Sequence, residues 1–181
     1  YILVITDPFS HMLWMEPITG KSAEEVYQRF VNGYLLEEGT PLFILTDNGG
    51  EFKNALLKEV MRLLKVRLQF TPSYHPRGNY TERVNRFIGE SLRTMLNMPG
   101  ARKQDWWKFT KFVQFAYRRM FIPGTNLSPY MVARGRQPTL PSEIERQQLG
   151  DALPSFDTLS AHVKLLNANM VLAAQLLRVA R

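Results

Sequence analysis

The 181-residue sequence has no cysteine, three histidines and no apolar run long enough to cross a bilayer as a helix. The missing cysteines exclude disulfides and thiolate metal sites and fit a reducing compartment. The missing apolar run excludes a helical membrane span, and the opening residues do not read as a signal peptide. Acidic residues are scarce in one stretch. Residues 61–136 hold 15 Lys and Arg against 3 Asp and Glu, a local +12, and the remainder holds 8 against 13, a local −5, which together give the formal +7. A basic half joined to an acidic half suits a polyanionic partner engaged by one face, although a solvated basic surface would look the same. What is plentiful is apolar side chain, 45% of the residues, enough for one domain with its own core. The first residue is Tyr1 rather than Met, and residues 1–5 read as a strand already under way. The chain is therefore expected to be part of something longer.

Residues 2–5 (Ile-Leu-Val-Ile) form a β-branched apolar run. Asp7-Pro8-Phe9-Ser10 is a turn, and residues 11–18 resume an extended pattern, so the two make a hairpin. Residues 21–38 switch to helical spacing at Ala23, Val26, Tyr27, Phe30 and Tyr34, with Ser22 as N-cap, Glu25 completing a capping box and Gly39 as the stop. A strand over 41–46, a helix over 54–65 and a short strand over 66–70 follow. After a Pro- and Gly-rich loop over 71–79, helices are predicted over 82–97 and 105–120, the second with Asp105 as N-cap. Residues 123–141 read as irregular and basic, and 156–179 as a last helix. The order predicts an α/β fold, a mixed sheet flanked by helices.

Two acids stand out. Asp47 sits where the strand over 41–46 stops, before Asn48-Gly49-Gly50, and open α/β sheets place ligand sites at such strand ends. Glu82 opens a helix, where the macrodipole favours a carboxylate. If the two converge, they offer the oxygen ligands that Mg²⁺ prefers, and a two-metal site needs no Cys, Ser or Lys nucleophile. Taken singly, Asp47 also reads as a turn aspartate and Glu82 as an ordinary N-terminal helix acid.

Together they read differently. Thr46-Asp47-Asn48-Gly49-Gly50-Glu51-Phe52 resembles the second metal-ligand motif of integrase catalytic cores. Thr71-Pro72-Ser73-Tyr74-His75-Pro76-Arg77-Gly78-Asn79-Tyr80-Thr81-Glu82-Arg83 resembles the third. Asn126-Leu127-Ser128-Pro129-Tyr130 and Gly135-Arg136-Gln137-Pro138 are similar to the segment that closes the core in long-terminal-repeat elements, especially the Ty3/gypsy type. The resemblance covers residues 1–141. It implies a ribonuclease H-like fold, with a first strand lying upstream of Tyr1. It implies that Asp47 and Glu82 are two members of an Asp-Asp-Glu triad holding Mg²⁺ or Mn²⁺. The implied activity is 3′-end processing followed by strand transfer into target DNA, by a polynucleotidyl transferase that works as a homo-oligomer. The implied setting is a Pol polyprotein, in a virus-like particle, the cytoplasm or the nucleus. Asp7 is a candidate third ligand. However, the family's first Asp lies one strand earlier, the 39 residues between Asp7 and Asp47 are short by about a strand, and a turn aspartate explains the position. The 34 residues between Asp47 and Glu82 are one fewer than the family's usual interval. A catalytically inactive or host-adopted domain that binds DNA or protein is the alternative, and a ribonuclease of the same fold a further one.

The helix from Glu82 carries Asn85, Arg86, Gly89 and Arg93 on the acid's own face, a stripe suited to DNA lying beside the metals. Tyr74, His75 and Arg77 on the preceding loop, and Arg118 and Arg119, are further candidates for DNA contact. The aromatics Trp106, Trp107, Phe109, Phe112, Phe115 and Tyr117 recur helically, which predicts core or dimer contact rather than a stacking platform. Residues 142–155 read as a linker. Residues 156–181 read as a helix leading toward a further module, with Leu159, Val163, Leu166, Met170, Ala173 and Leu177 at coiled-coil spacing.

Overall fold

The computed structural model describes residues 1–140 except 48, 51, 53 and 71–77, together with residue 171. The linker expected over 142–155, the helix expected over 156–179 and its seam lie outside the described residues, apart from Val171, which is helical and exposed. The chain divides into two units, residues 1–5 with 14–113 and residues 6–13 with 114–181.

The first unit begins with the expected hairpin. Strands β1 (Ile2–Thr6) and β2 (Leu13–Pro17) pair. They run antiparallel, since Tyr1 and Ile18 bond each other's backbones at one end and the Asp7 N–H donates to the Met12 carbonyl at the other. Helix α1 (Ala23–Phe30) starts where predicted, with Ser22 Oγ accepting the Glu25 N–H. The Glu25 carboxylate reaches further back than a capping box requires and takes the Thr19 and Gly20 N–H groups at 2.7 and 2.9 Å. Those two bonds, Thr19 first, hold its pKa below the usual carboxylate range. A depressed folded-state pKa stabilises above the unfolded value, and the contribution is lost as pH falls through the folded value. Glu25→Gln is therefore expected to melt at a lower temperature than the parent at neutral pH and to match it in acid. Paired thermal melts across that range check this.

The helix then departs from the sequence expectation. One turn, Val31–Leu35, is π-helical before α2 (Leu36–Glu38) ends at Gly39 with φ of 85°. The cause lies across the fold. Glu16 is 8% exposed, pairs with Lys111 and packs on Gly33 so closely that a Cβ there would overlap its Cγ and Cδ. A π turn widens the helix where a side chain presses in.

Strand β3 (Phe43–Thr46) pairs in parallel with β4 (Arg67–Phe70), with Thr46 opposite Phe70, and α3 (Ala55–Leu63) is the crossover between them. Both strand senses are present, but among the described residues the antiparallel and the parallel pair are two separate two-stranded sheets. Ile44 and Leu68 turn toward a core of Leu3, Ile18, Val26, Phe30, Leu57, Met61 and Val66, while Phe43 and Leu45 alternate outward and are about half exposed.

Helix α4 spans Gly78–Leu96, starting four residues earlier than predicted. No proline stands between 78 and 96, and each residue added to a formed helix gains a hydrogen bond. Val84 and Ile88 anchor α4. The helix predicted over 105–120 is divided into a 3₁₀ segment (Lys103–Phe109) and α5 (Thr110–Arg119). Asp105 lies inside the 3₁₀ segment rather than capping it, bridged to Arg102 and Lys108. Trp107, Phe112 and Phe115 are exposed, so the core reading does not hold for them. Thr110 and Val113 are the buried positions in this part of the first unit.

In the second unit, residues 123–141 contain a helix where the sequence predicts irregular structure. In α6 (Pro129–Arg134), Ser128 Oγ accepts the Met131 N–H, Pro129 opens the first turn and Gly135 (φ 71°) closes the last. Cap, N-terminal proline and C-terminal glycine are all present in the sequence, but six residues are too few to show periodicity. Ile122 and Val132 form the small core beside Leu127. Among the described residues no helix is long and apolar enough to cross a membrane.

Candidate metal and nucleic-acid site

The parallel register fixes the geometry that matters. Because Thr46 lies opposite Phe70 in the parallel pair, β3 and β4 end side by side. Asp47 is exposed there, with Oδ1 accepting the Gly49 N–H at 3.1 Å in an Asx turn. Beside it Thr46 Oγ1 is a buried hydroxyl with no hydrogen-bond partner among the described residues. An orphaned polar atom next to an exposed carboxylate marks a strand end suited to a polar ligand. Seven residues, 71–77, separate Phe70 from the first residue of α4, a span of at most about 29 Å. Glu82 is the fifth residue of α4, in its second turn rather than its first, so its link to the helix terminus is weaker than predicted. The Glu82 side chain and residues Tyr74, His75 and Arg77 lie outside what the structure describes. No cluster of three or more metal-ligating groups occurs among the described residues.

The other candidates divide. On α4, Asn85, Arg86 and Arg93 are exposed, opposite the buried Val84 and Ile88. Gly89 lies beneath Arg93, whose Nη2 would be 3.4 Å from a Cβ at 89, so the small residue leaves room for the guanidinium to fold over the helix. Arg118 and Arg119 serve the second unit's own backbone. Arg118 Nε donates to the Leu13 carbonyl at 2.8 Å, and an Arg119 N–H donates to the Pro138 carbonyl.

Asp7 is the turn aspartate that the residues suggested. Its two oxygens accept the Phe9 N–H (3.2 Å), the Ser10 N–H (2.9 Å) and the Ser10 hydroxyl (2.5 Å). Those bonds hold the turn together, and a carboxylate so engaged is poorly placed to take up a metal. The pairing of buried Glu16 with the exposed Lys111 has no signal in the sequence pattern. Only the packing of β2 on the π turn reveals it, since the two residues are 95 positions apart.

No family model matches the chain. In sequence it is 25% identical over 149 residues to the retrovirus-related Pol polyprotein from transposon 412 of Drosophila melanogaster, covering 82% of this chain and 12% of that protein. It is 32% identical over 111 residues to the retrovirus-related Pol polyprotein from transposon TNT 1-94 of Nicotiana tabacum, covering 59% and 8%. In structure it matches the HTLV-2 integrase catalytic core domain in complex with magnesium (dimeric form), at a TM-score of 0.57, 18% identity, 71% of this chain and 81% of that one. The catalytic core domain of BIV integrase matches at 0.61, 16% identity, 82% and 90%. The chain has the integrase catalytic-core fold. That fold is ribonuclease H-like and α/β, and the chain's sequence relatives are retrovirus-type Pol polyproteins. The chain spans about a tenth of the length of the relatives it matches.

Proposed function

We propose that this integrase-like domain is a metal-dependent DNA strand transferase of the Asp-Asp-Glu type. In this reading Asp47 and Glu82 supply two of its metal-ligating carboxylates. The observation that carries the reading is the parallel β3–β4 register, which brings the chain out of β4 beside Asp47 and leads it within seven residues into α4. Carboxylate oxygens are the donors that Mg²⁺ and Mn²⁺ take. When bound, the ions would lower the pKa of the attacking water or 3′-hydroxyl and stabilise the leaving oxygen. The protein's own work is to hold the two carboxylates on rigid elements and the DNA along α4. In this reading Asp7 serves its turn, and its bonds to Phe9 and Ser10 speak against a ligand role. The third carboxylate belongs on a strand preceding Tyr1. A host-adopted, non-catalytic DNA-binding domain is the competing reading, favoured by the engagement of Asp7. Residues 1–141 form the core in this proposal, with 142–155 as linker and 156–181 leading to a further module. Self-association, as the resemblance implies, and a setting within a Pol polyprotein complete it.

Single-turnover joining of labelled DNA ends in Mg²⁺ or Mn²⁺ tests the activity, with an extended chain carrying the residues before Tyr1 as the positive form. No joining by that folded, extended form would leave the non-catalytic reading standing.

The DNA face has its own prediction. Arg86→Ala with Arg93→Ala is expected to weaken duplex binding at every sequence. It is also expected to lower the slope of log affinity against log salt by about 1.8, roughly 0.9 for each phosphate no longer neutralised. Titrations at several salt concentrations read this, and an unchanged slope would remove α4 from the DNA surface.

A further inference from the structure

The 3₁₀ segment Lys103–Phe109 arranges its side chains as an α-helix of the same sequence would not. At three residues per turn, positions i and i+3 eclipse. Arg102, Asp105 and Lys108 therefore stand in one column, with Asp105 Oδ2 lying 3.5 Å from Arg102 Nε and 3.2 Å from Lys108 Nζ. In an α-helix each such step would drift by about 60° and scatter the column. Arg102 and Lys108 remain 72% and 51% exposed, and Lys103 is exposed beside them. Three cations against one carboxylate leave a local +2 (3 − 1). Next to the column Trp107 is 51% exposed, with the Lys108 ammonium 5.4 Å from its ring centre.

A half-exposed indole could serve a protein partner or a nucleic acid. The cores of protein interfaces are depleted in charge, whereas here the Lys108 ammonium stands over the ring and Arg102 and Lys103 are exposed on the same short segment. Cations that track a phosphate backbone beside a ring that accepts a base are what a single strand engages. We propose that this surface binds an unpaired stretch of nucleic-acid strand, with Arg102, Lys103 and Lys108 on successive phosphates and one base on the Trp107 ring. The surface lies on a different element from the α4 stripe, so it goes beyond the reading above and does not depend on Asp47 or Glu82.

The test uses the 181-residue chain carrying Glu82→Gln, a labelled single-stranded oligothymidylate and a duplex of equal length. Trp107→Ala is expected to weaken single-strand binding about tenfold and to leave duplex binding unchanged. Trp107→Tyr, which keeps a stacking ring, should retain the affinity. Lys103→Ala with Lys108→Ala should lower the single-strand salt slope by about 1.4, and these exposed positions keep the proposal testable if the indole variant fails to fold. Arg86→Ala with Arg93→Ala should do the reverse, weakening duplex binding while sparing the single strand. That contrast separates failure of this proposal from failure of the α4 reading. Single-strand affinity indifferent to both the indole and the lysine variants would overturn it. So would a Trp107→Ala effect confined to oligomeric state in gel filtration.

Discussion

Glu82→Gln is expected to lower metal-dependent strand transfer by about 10³-fold, the rate equivalent of the several kcal/mol of charge stabilisation that a bound divalent ion supplies. The change removes a charge and keeps the shape. Glu82 lies in the second turn of a 19-residue helix anchored by Val84 and Ile88, so thermal stability should move little. Asp47→Asn is expected to do the same from the other element. Asp7→Asn should behave in the opposite way. The amide keeps one acceptor oxygen but cannot take all three donors at Asp7, so the turn loosens and the melting temperature falls, while metal dependence is unaffected. Activity lost at 47 and 82, with stability lost at 7, is the pattern the account requires. Equal loss of metal response in all three variants would make Asp7 a ligand instead. Single-turnover rates and melting curves on the same preparations read both quantities.

The second large effect is on folding. Gly33→Ala is expected to destabilise the chain by about 3 kcal/mol, chiefly through an overpacked site, with a smaller part from the disturbed Glu16–Lys111 pair. The new methyl would overlap Glu16 Cγ and Cδ, the middle of that side chain, and Glu16 has little room to retreat while paired to Lys111. The half-exposed Lys111 end of the pair screens part of the charge term, so the steric term leads. The diagnostic comparison is the double variant Gly33→Ala, Glu16→Ala. Removing the side chain that the methyl meets should recover much of the loss, giving a coupling well above the few tenths of a kcal/mol expected of independent sites. Denaturant melts of the four proteins measure it. Simple additivity would mean that the π turn arises from something other than the Glu16 side chain.

These two predictions mark what was legible in the sequence. The hairpin, α1 with its Ser22 cap, the strands β3 and β4 and the helix α3 follow from period, turn residues and caps, all local signals, whereas the parallel pairing of β3 with β4 comes from the structure. The position of Asp47 at a strand end was legible for the same reason. The π turn was not, because its cause is Glu16, distant in sequence, pressing on a glycine that looks harmless in a helical pattern. The division of the helix predicted over 105–120 was hidden as well. Asp105 has the composition of an N-cap, and only the 3₁₀ column shows it bridging Arg102 and Lys108 instead. Arg118 and Arg119 look like phosphate ligands because charge is visible in sequence, whereas the carbonyls of Leu13 and Pro138 that take their donors are not. The exposure of Trp107, Phe112 and Phe115 could not be read either, since helical recurrence gives the spacing of aromatics without saying which side of the helix the core occupies. At the candidate site, residue types and spacing point to the chemistry, and the parallel register adds the end of the sheet from which both motifs emerge.

The most direct measurement is a crystal structure of the chain soaked in Mn²⁺, read by anomalous scattering. The account predicts a peak bridged by the carboxylates of Asp47 and Glu82, each with an oxygen about 2.1 Å from an ion, as expected for small divalent cations held by oxygen. A peak elsewhere, or well-ordered carboxylates at 47 and 82 too far apart to share an ion, would contradict it.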